Sequence, residues 1–472
     1  VTGLLVGLAV YIVSLGHWPA AMAIAIVAVV AARWWRGRAL LVGAFSLLAA
    51  WWIGLAVPPA LPAGLAETQG WRLQISSMPQ IRAQGWSFDA RILDGPGEGD
   101  SLLIFSSVPD RLVIGDRIYV YGTVVRREDI AGSYGGYLTG RGVSGQLYVG
   151  GVSVDHRGSG LLARINRIRQ ETIGRLFHAV PGDAGALLAG LVTGDDGQLS
   201  ERSDTFFRNA GLSHLTAVSG ANLGMMVAMV ASVGRLTGRR RTSWLIAGAA
   251  LAWIYAIFVG LSPPTLRAAL LTTGIAGGRL AGRPVDMLTL AFTTAAVQLF
   301  LRPIDAYSIS FHLSTAASIG LAAGLNRYPA HDRRIGLADL VIVTALAQLA
   351  TLPFIAATFG NVPLLAIPAN VIAVPLASFA FTLALAGSVL LWISATLGQA
   401  LLIPATWAAD GILGAARLYG REWGVIELAA VGSASMAIGL LLVAALILMA
   451  GGELGLAARQ MRMARGKIGP GG

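Results

Sequence analysis

The chain has no cysteine, a single lysine, and only 12% charged residues among its 472. Without thiols, disulfides, thiolate metal sites and cysteine nucleophiles are all excluded. With charge so scarce, 55% hydrophobic residues and a mean hydropathy of +0.67 take the chain outside the range of ordinary soluble domains. Carboxylates are the second shortage. Beyond Asp204 they are Asp286, Asp305, Asp332, Asp339, Asp410, Glu422, Glu427 and Glu453, mostly near the ends of apolar runs, with Asp410 the least easily dismissed. Ion-coupled carriers use buried carboxylates, whereas a path for a polyanion needs their absence. The six histidines, His17, His156, His178, His214, His312 and His331, show neither HxH nor HExxH spacing, so no metal site is expected. His214 and Ser219 resemble a base and a nucleophile, but five residues on a regular helix turn them apart, and no third orienting group is evident. Neither an enzyme nor a cofactor is expected.

What is present is a series of apolar runs of about 17–23 residues, each the length needed to cross a bilayer. A cleaved signal peptide would not explain their repetition. The expected fold is a polytopic α-helical membrane protein of about 12 transmembrane or re-entrant helices, interrupted by one inserted β-rich domain. The divisions are 1–66 for N-terminal transmembrane helices, 67–156 for the soluble β-domain, 157–205 for amphipathic linking helices, 206–456 for a second membrane unit and 457–472 for a basic tail. Because the sequence starts at Val1 rather than Met, a few residues are expected to precede it.

Net charge is +11, almost wholly from arginine, with Lys467 the lone lysine. Such charge either orients the protein in a bilayer or attracts a polyanion, and composition does not separate the two. Arg33, Arg36 and Arg38, with Trp34 and Trp35, predict a cytoplasmic loop, so the β-domain starts outside. Threading onward makes the loops with Arg235/Arg239/Arg240/Arg241, Arg279/Arg283 and Arg327/Arg333/Arg334 cytoplasmic, together with the Arg459/Arg462/Arg465/Lys467 tail. The spans in this part fall near 211–234, 243–260, 265–281, 285–301, 304–325, 336–358, 363–395 (broken), 398–418 and 431–451. No inverted repeat of the secondary-transporter kind is apparent.

Between the membrane units the apolar period changes from helical to two. WRLQI (71–75), WSFDARI (86–92), SLLIF (101–105), DRIYVYGTVV (116–125) and SGQLYVGGVSV (144–154) read as strands separated by Gly/Asp/Pro turns. They predict a small closed or half-closed β-barrel. Leu161–Val180 reads as a basic amphipathic helix, with Leu161, Leu162, Ile165, Ile168, Leu176 and Phe177 on one side and Arg164, Arg167, Arg169 and Arg175 on the other. It would lie on lipid or pack against the barrel with a solvated arginine face.

The densest polar cluster abuts the start of an apolar span: Asp195, Asp196, Arg208, His214, Ser219 and Asn222. Helix breakers recur at membrane depth in Ser219-Gly220-Ala221-Asn222, in Leu261-Ser262-Pro263-Pro264-Thr265-Leu266-Arg267, and from Pro363 through Pro368-Ala369-Asn370 to Pro375. Each proline frees a carbonyl that neighbours or cavity water must satisfy, so together the breaks suggest a polar path. Singly, each also fits a kink in a packed membrane helix. Arg267 faces a wet lumen or snorkels to the interface, and His312 and Gln348 line the lumen or make interhelical hydrogen bonds.

At ALLAGLVTGDDGQLSERSDTFFRNAGLSHLTAVSGANLG (186–224) the chain resembles the central signature of the ComEC family of bacterial competence proteins. SPPTLRAAL (262–270), FHLSTAASIGL (311–321) and LPFIAATFGNVPLLAIPANVIAVPLASF (352–379) follow in the family's order. GDRIYVYGTV (115–124) and YLTGRGVSG (137–145) are similar to the family's extracellular OB-fold domain. The resemblance implies an inner-membrane channel that passes single-stranded DNA into the cytoplasm during natural transformation. It also implies an OB-fold-like domain outside and a cytoplasmic C-terminus. Implied partners are single-stranded DNA, the lipid bilayer, a DNA receptor, a separate nuclease and a cytoplasmic translocation motor.

On this reading Arg208, His214, Ser219, Asn222, Pro263, Pro264, Arg267, His312, Pro368, Asn370 and Pro375 build the polar path, and Asp195, Asp196, Gly211 and Gly220 belong to the structural signature. Arg72, Trp86, Arg91, Arg117, Tyr119, Arg126 and Arg127 of the β-domain would contact DNA, together with Trp71, Phe88, Tyr121 and Arg82, although half of these aromatics should fill the barrel core. Asn222 stands where many relatives have histidine, and His312 where glutamine is common. Many members continue into a metallo-β-lactamase-like domain; this sequence stops at Gly472 without His-x-His-x-Asp-His, so a nuclease is expected to be separate or lost by truncation. The alternatives are a transporter or flippase for a small or lipid-linked solute and a membrane scaffold.

Overall fold

The computed structural model describes Leu48 and residues 51–62, 69–82, 85–107, 111–130, 133–216, 218–238, 241–283, 285–325 and 337–427. Most of the three N-terminal apolar segments, the span expected near 431–451 and the basic tail lie outside the described residues. The described chain is a β-domain followed by a mostly helical unit.

Eight strands form the β-domain: β1 (Gln69–Ile75), β2 (Gln80–Arg82), β3 (Gly85–Ile92), β4 (Ser101–Ser106), β5 (Arg117–Gly122), β6 (Val124–Arg126), β7 (Gly145–Val149) and β8 (Val152–His156). Period-two alternation turns Trp71, Leu73 and Ile75, then Phe88, Ala90 and Ile92, into one shared core with Ile104, Ile118, Val120 and Leu147. β1 pairs antiparallel with β3 and β5, and β3 with β4. β4 then pairs parallel with β7, and β7 antiparallel with β6. Because β6 continues β5 after Thr123, this ladder returns to β1 and closes a barrel. Gly122 makes the corner possible: a Cβ there would meet Leu147 Cδ1 at 2.6 Å and the Tyr148 carbonyl at 2.9 Å. The buried Trp71 indole donates to the Gly122 carbonyl at 3.3 Å and holds that corner from inside. β2, β8 and the helix α1 (Ser133–Arg141) decorate the ring.

The helical unit runs through α2 (Leu161–Ala179), α3 (Gly182–Thr193), α4 (Glu201–Asn209), α5 (Gly220–Leu236), α6 (Arg241–Phe258), α7 (Pro263–Leu280), α8 (Met287–Leu301), α9 (Ile309–Leu325), α10 (Leu337–Phe359), α11 (Ala366–Leu390) and α12 (Ala395–Tyr419). The short strands β9 (Asn361–Pro363) and β10 (Val425–Glu427) pair antiparallel and tie the start of α11 to the segment beyond α12. Among the described residues only α11 is both long and apolar enough to cross a membrane. α11 also departs from the expected broken span, running unbroken past Pro375. Buried alanines of α11 (Ala369, Ala373, Ala377, Ala380, Ala384) pack with Ala405, Ala408, Ala409 and Ala416 of α12 in the same core, so the two backbones approach closely.

α2 differs from its sequence reading. Its buried side carries Asn166, Arg169 and Thr172, while Leu161 (73%), Leu162 (46%) and Ile168 (49%) are exposed. Ala163, Ile173 and Leu176 are buried beside those polar residues and Arg164 and Arg167 stay exposed, so the inner side is mixed, and its polar members are met by backbone groups of the barrel. Asn166 Oδ1 accepts from Ile114 N–H at 3.2 Å, and Gln170 Nε2 donates to the Leu112 carbonyl at 2.6 Å.

The barrel also meets the helical unit through α1, where Gly140 lies so close to Tyr307 that a Cβ would stand 2.4 Å from its carbonyl oxygen. Replacing the fully buried Phe88 by alanine is expected to lower stability by about 3–5 kcal/mol. Thermal denaturation followed by near-UV circular dichroism checks this, and a drop below about 1 kcal/mol would contradict a closed, packed barrel.

Candidate functional site

A helix leaves its last carbonyls without intrahelical partners. At the end of α3 they are collected by side chains from three other elements. Asn222 Nδ2, in the first turn of α5, donates to the Leu191 carbonyl at 3.2 Å. Tyr255 Oη, from α6, reaches the Leu191 and Val192 carbonyls at 3.3 and 2.9 Å. Arg169 Nε, from α2, donates to the Thr193 carbonyl at 2.8 Å. Gly194 closes the helix in the left-handed region, φ 75°, its N–H on the Gly190 carbonyl. Ser219 Oγ donates to Asn222 Oδ1 at 3.2 Å and so orients the amide toward α3. Gly190 admits the approach, since a Cβ there would stand 2.0 Å from the Thr216 carbonyl oxygen.

The same arginine makes the second half of this hub. Arg169 and Asp195, 2% and 0% exposed, form an ion pair at 3.5 Å. Arg169 Nη1 also donates to the Pro79 carbonyl at 3.3 Å, and Asp195 Oδ2 accepts from Ile81 N–H at 3.2 Å. Both backbone partners belong to the loop and strand around β2. Arg82 and the half-exposed Asp196 add a looser pair at 3.6 Å. Burial pushes the Asp195 carboxyl above the usual carboxylate range, against the pull of Arg169 and the Ile81 N–H. Burial likewise lowers Arg169, against Asp195 and Asp196. The pair ties the end of α3 to the barrel, and removing either partner would leave the other charge buried and uncompensated.

A separate polar network surrounds the Ser262–Arg267 motif. Leu261 is held at φ 52°, a left-handed conformation costing roughly 1–2 kcal/mol for a side-chain-bearing residue. Its carbonyl accepts from Arg302 Nη1. Arg302 also pairs with Asp305 at 3.3 Å, and Gln298 Nε2 donates to Asp305 Oδ2 at 2.7 Å and to the Pro263 carbonyl at 3.1 Å. Pro263 and Pro264 occupy the first turn of α7, where missing N–H groups cost nothing. Arg267 follows one turn on and is buried. His312 Nε2 donates to the Ala306 carbonyl at 2.9 Å, and its ring stacks on Phe354.

The remaining expected path residues are dispersed. Arg208 is exposed and pairs with Asp204 at 3.1 Å. His214 is exposed on a short 3-10 turn, Ser213–Leu215. Gly211, at φ 68°, leaves room for Ala366 and Pro363, and Gly220 faces Ala268. Pro368 and Pro375 lie within α11, and Asn370 Nδ2 turns back to its own helix at the Ala366 carbonyl, 2.8 Å away. Among the described residues no three His, Asp or Glu side chains converge as metal ligands.

On the barrel, Trp71 and Phe88 are core residues, Trp86 and Tyr119 are half-buried, and Tyr121 is exposed. Tyr119 and Tyr121 meet edge to face at 5.1 Å, with Tyr119 lying over Gly70. Arg72 pairs with Asp94, Arg126 with Asp129 and Arg127 with Glu128, and Arg91 donates to the Gly99 carbonyl. Arg117 is exposed beside Gln74 of β1.

Tyr255, Gln298 and Arg302 are missed by motif reading, and Arg169 is misplaced on a solvated face. For Arg169 a signal exists: it shares three-residue spacing with Asn166 and Thr172, the side of α2 that becomes buried.

The profile of the family described as "Competence protein" matches residues 191–452. ComE operon protein 3 of Bacillus subtilis is 27% identical over 237 residues, covering 50% of this chain and 30% of that protein. Competence protein ComA of Neisseria gonorrhoeae is 28% identical over 342 residues, covering 67% of this chain and 48% of that protein. Uncharacterized protein YcaI of Escherichia coli is 27% identical over 209 residues, covering 41% and 27%. The chain therefore spans less than half the length of these relatives. No solved structure matches it.

Arg169→Met strands the buried Asp195 and is expected to cost about 3–5 kcal/mol, while Arg169→Met with Asp195→Leu costs clearly less than the two single changes summed. A double-mutant cycle on thermal or denaturant unfolding measures the difference, and strict additivity would rule out the coupled pair.

Proposed function

This chain belongs to the ComEC family of competence proteins, and from that premise we propose that it is an inner-membrane channel passing single-stranded DNA into the cytoplasm during natural transformation. The observation that carries the reading is the docking of the barrel onto the helical unit through Asp195 and Asp196, in the stretch that resembles the family's signature. A receiving domain fixed at the mouth of a conduit is what strand transfer requires.

The closed ring of strands supports reading the barrel as an OB-like domain, a fold suited to single strands. Its outer face combines Arg72, Arg117, Tyr119 and Tyr121, supplying cations for phosphates and rings for bases. The exposed apolar side of α2, with Leu161, Leu162 and Ile168, suits contact with a bilayer surface, as do the exposed Trp392, Trp407 and Trp423. In this reading the path is lined by hydrogen-bonding groups and arginine, and it performs no bond chemistry of its own. The receptor, the nuclease and the motor are separate partners.

A solute carrier would need a carboxylate free to exchange an ion. Asp305, one of the two candidates for that part, is engaged by Arg302 and Gln298.

In cells lacking this chain, labelled DNA is expected to accumulate outside the inner membrane in nuclease-protected form, with none reaching the cytoplasm until the chain is restored. Normal cytoplasmic arrival without it would refute the channel.

A further inference from the structure

α12 ends against α4 in an unusually close approach. Gly420, just past the last turn of α12, would place a Cβ 2.2 Å from the Phe206 carbonyl oxygen, so only glycine lets the two backbones meet there. The approach brings Arg417 and Arg421, from the end of α12, to the same cavity as Arg202 from α4. This cavity, about 580 Å³, falls in the size range of small-molecule sites.

Its single carboxylate is already used. Asp183 accepts from Ser200 N–H at 3.0 Å, from Ser200 Oγ at 2.8 Å and from Ser203 Oγ. Arg202, Arg417 and Arg421 are exposed, and among the described residues no carboxylate lies within ion-pairing distance of any of them; what sets them apart from other exposed arginines is that all three line one cavity. Three arginines against one aspartate leave the lining with a formal excess of two positive charges. Glu201 and Glu422 adjoin these arginines in sequence but do not line the cavity. Arg202 is held over the Phe206 ring, its guanidinium carbon 5.7 Å from the centroid, which orients the planar fork without occupying its donors. Three guanidinium groups with free donors around one cavity match the oxygens of a phosphate.

We propose that the Arg202/Arg417/Arg421 cavity binds a phosphodiester of the translocating DNA strand. The assignment rests on the channel reading. A lipid phosphate offers similar oxygens, but the exposed Asp410 stands seven residues before Arg417, two turns back on the same side of α12. A carboxylate is costly against acyl chains and tolerated beside water, so the Asp410–Arg417 part of that stripe favours an aqueous neighbour, while Ile403 and Trp407, exposed nearer the start of the helix, favour lipid.

The test uses the full chain in detergent with a fluorescent oligothymidylate, titrated across a salt series. Arg417→Gln with Arg421→Gln is expected to weaken binding several-fold and to reduce the slope of log affinity against log salt by about 0.7 for each phosphate no longer neutralised. Arg417→Lys with Arg421→Lys, which keeps the charge, should retain most of the slope; equal weakening in both double variants, with a lowered melting temperature, would mark a structural role and overturn the site. An unchanged slope in the glutamine variant overturns it too, as does absence of oligothymidylate binding by the unaltered chain. Disappearance of copurifying anionic phospholipid with intact oligothymidylate binding would make it a lipid headgroup site instead. Failure of the channel reading is separate, because it appears as normal DNA arrival in cells without the chain.

Discussion

Everything between the barrel and the helical unit depends on how the end of α3 is satisfied. Three consecutive carbonyls, Leu191, Val192 and Thr193, point away from the helix with no partner of their own, in a region too buried for water to reach freely. Asn222, Tyr255 and Arg169 supply the donors, and each comes from a different helix, so α2, α5 and α6 are fixed around one point. A cation suits a helix C-terminus electrostatically as well. Once Arg169 is buried there it must be neutralised, which places Asp195, and Asp195 in turn takes the Ile81 N–H of the barrel. One helix end thus organises the junction of both parts of the chain.

The barrel contributes the matching constraint. A half-open sheet would leave an edge free to pair with other chains. The parallel pairing of β4 with β7 removes that edge, and the loop around β2 is then presented at a fixed angle to α3. The second contact, through α1 and Tyr307, lies beside the network of Gln298, Arg302 and Asp305. Leu261 stays in its strained conformation because Arg302 holds its carbonyl and the prolines after it fix the backbone. The α3 and α2 contacts of the barrel are made by hydrogen bonds and ion pairs, whereas the α1 contact is a close packing of Gly140 on the Tyr307 backbone.

Much of the fold was legible in advance. Period-two runs located β1, β3, β4, β5 and β7, and the apolar spans near 243–260, 285–301 and 398–418 fall on α6, α8 and α12 within a few residues, because burial imposes those periods locally. The short β2 and the helix α1 carry too few residues for a period to emerge. Ser219 and Asn222, which the sequence places in one helix break, bond to each other because three-residue spacing at a helix start brings side chain to side chain. Arg208, close to them in sequence, pairs with Asp204 instead, and His214 lies on the short Ser213–Leu215 turn.

Composition, hydrophobic period and motif order determined by themselves that this chain is a helical, family-type protein with a β-domain inserted before its signature. They operate over a turn or a strand, and each residue reports its own neighbours. Tertiary structure alone decided that α2 buries Asn166, Arg169 and Thr172 beside its apolar Ile173 and Leu176, that Tyr255 and Arg169 cap a helix far from them in sequence, and that Arg202 shares a cavity with Arg417 and Arg421. Those outcomes depend on which carbonyls and charges are left unsatisfied once distant elements meet, a quantity that no local pattern contains.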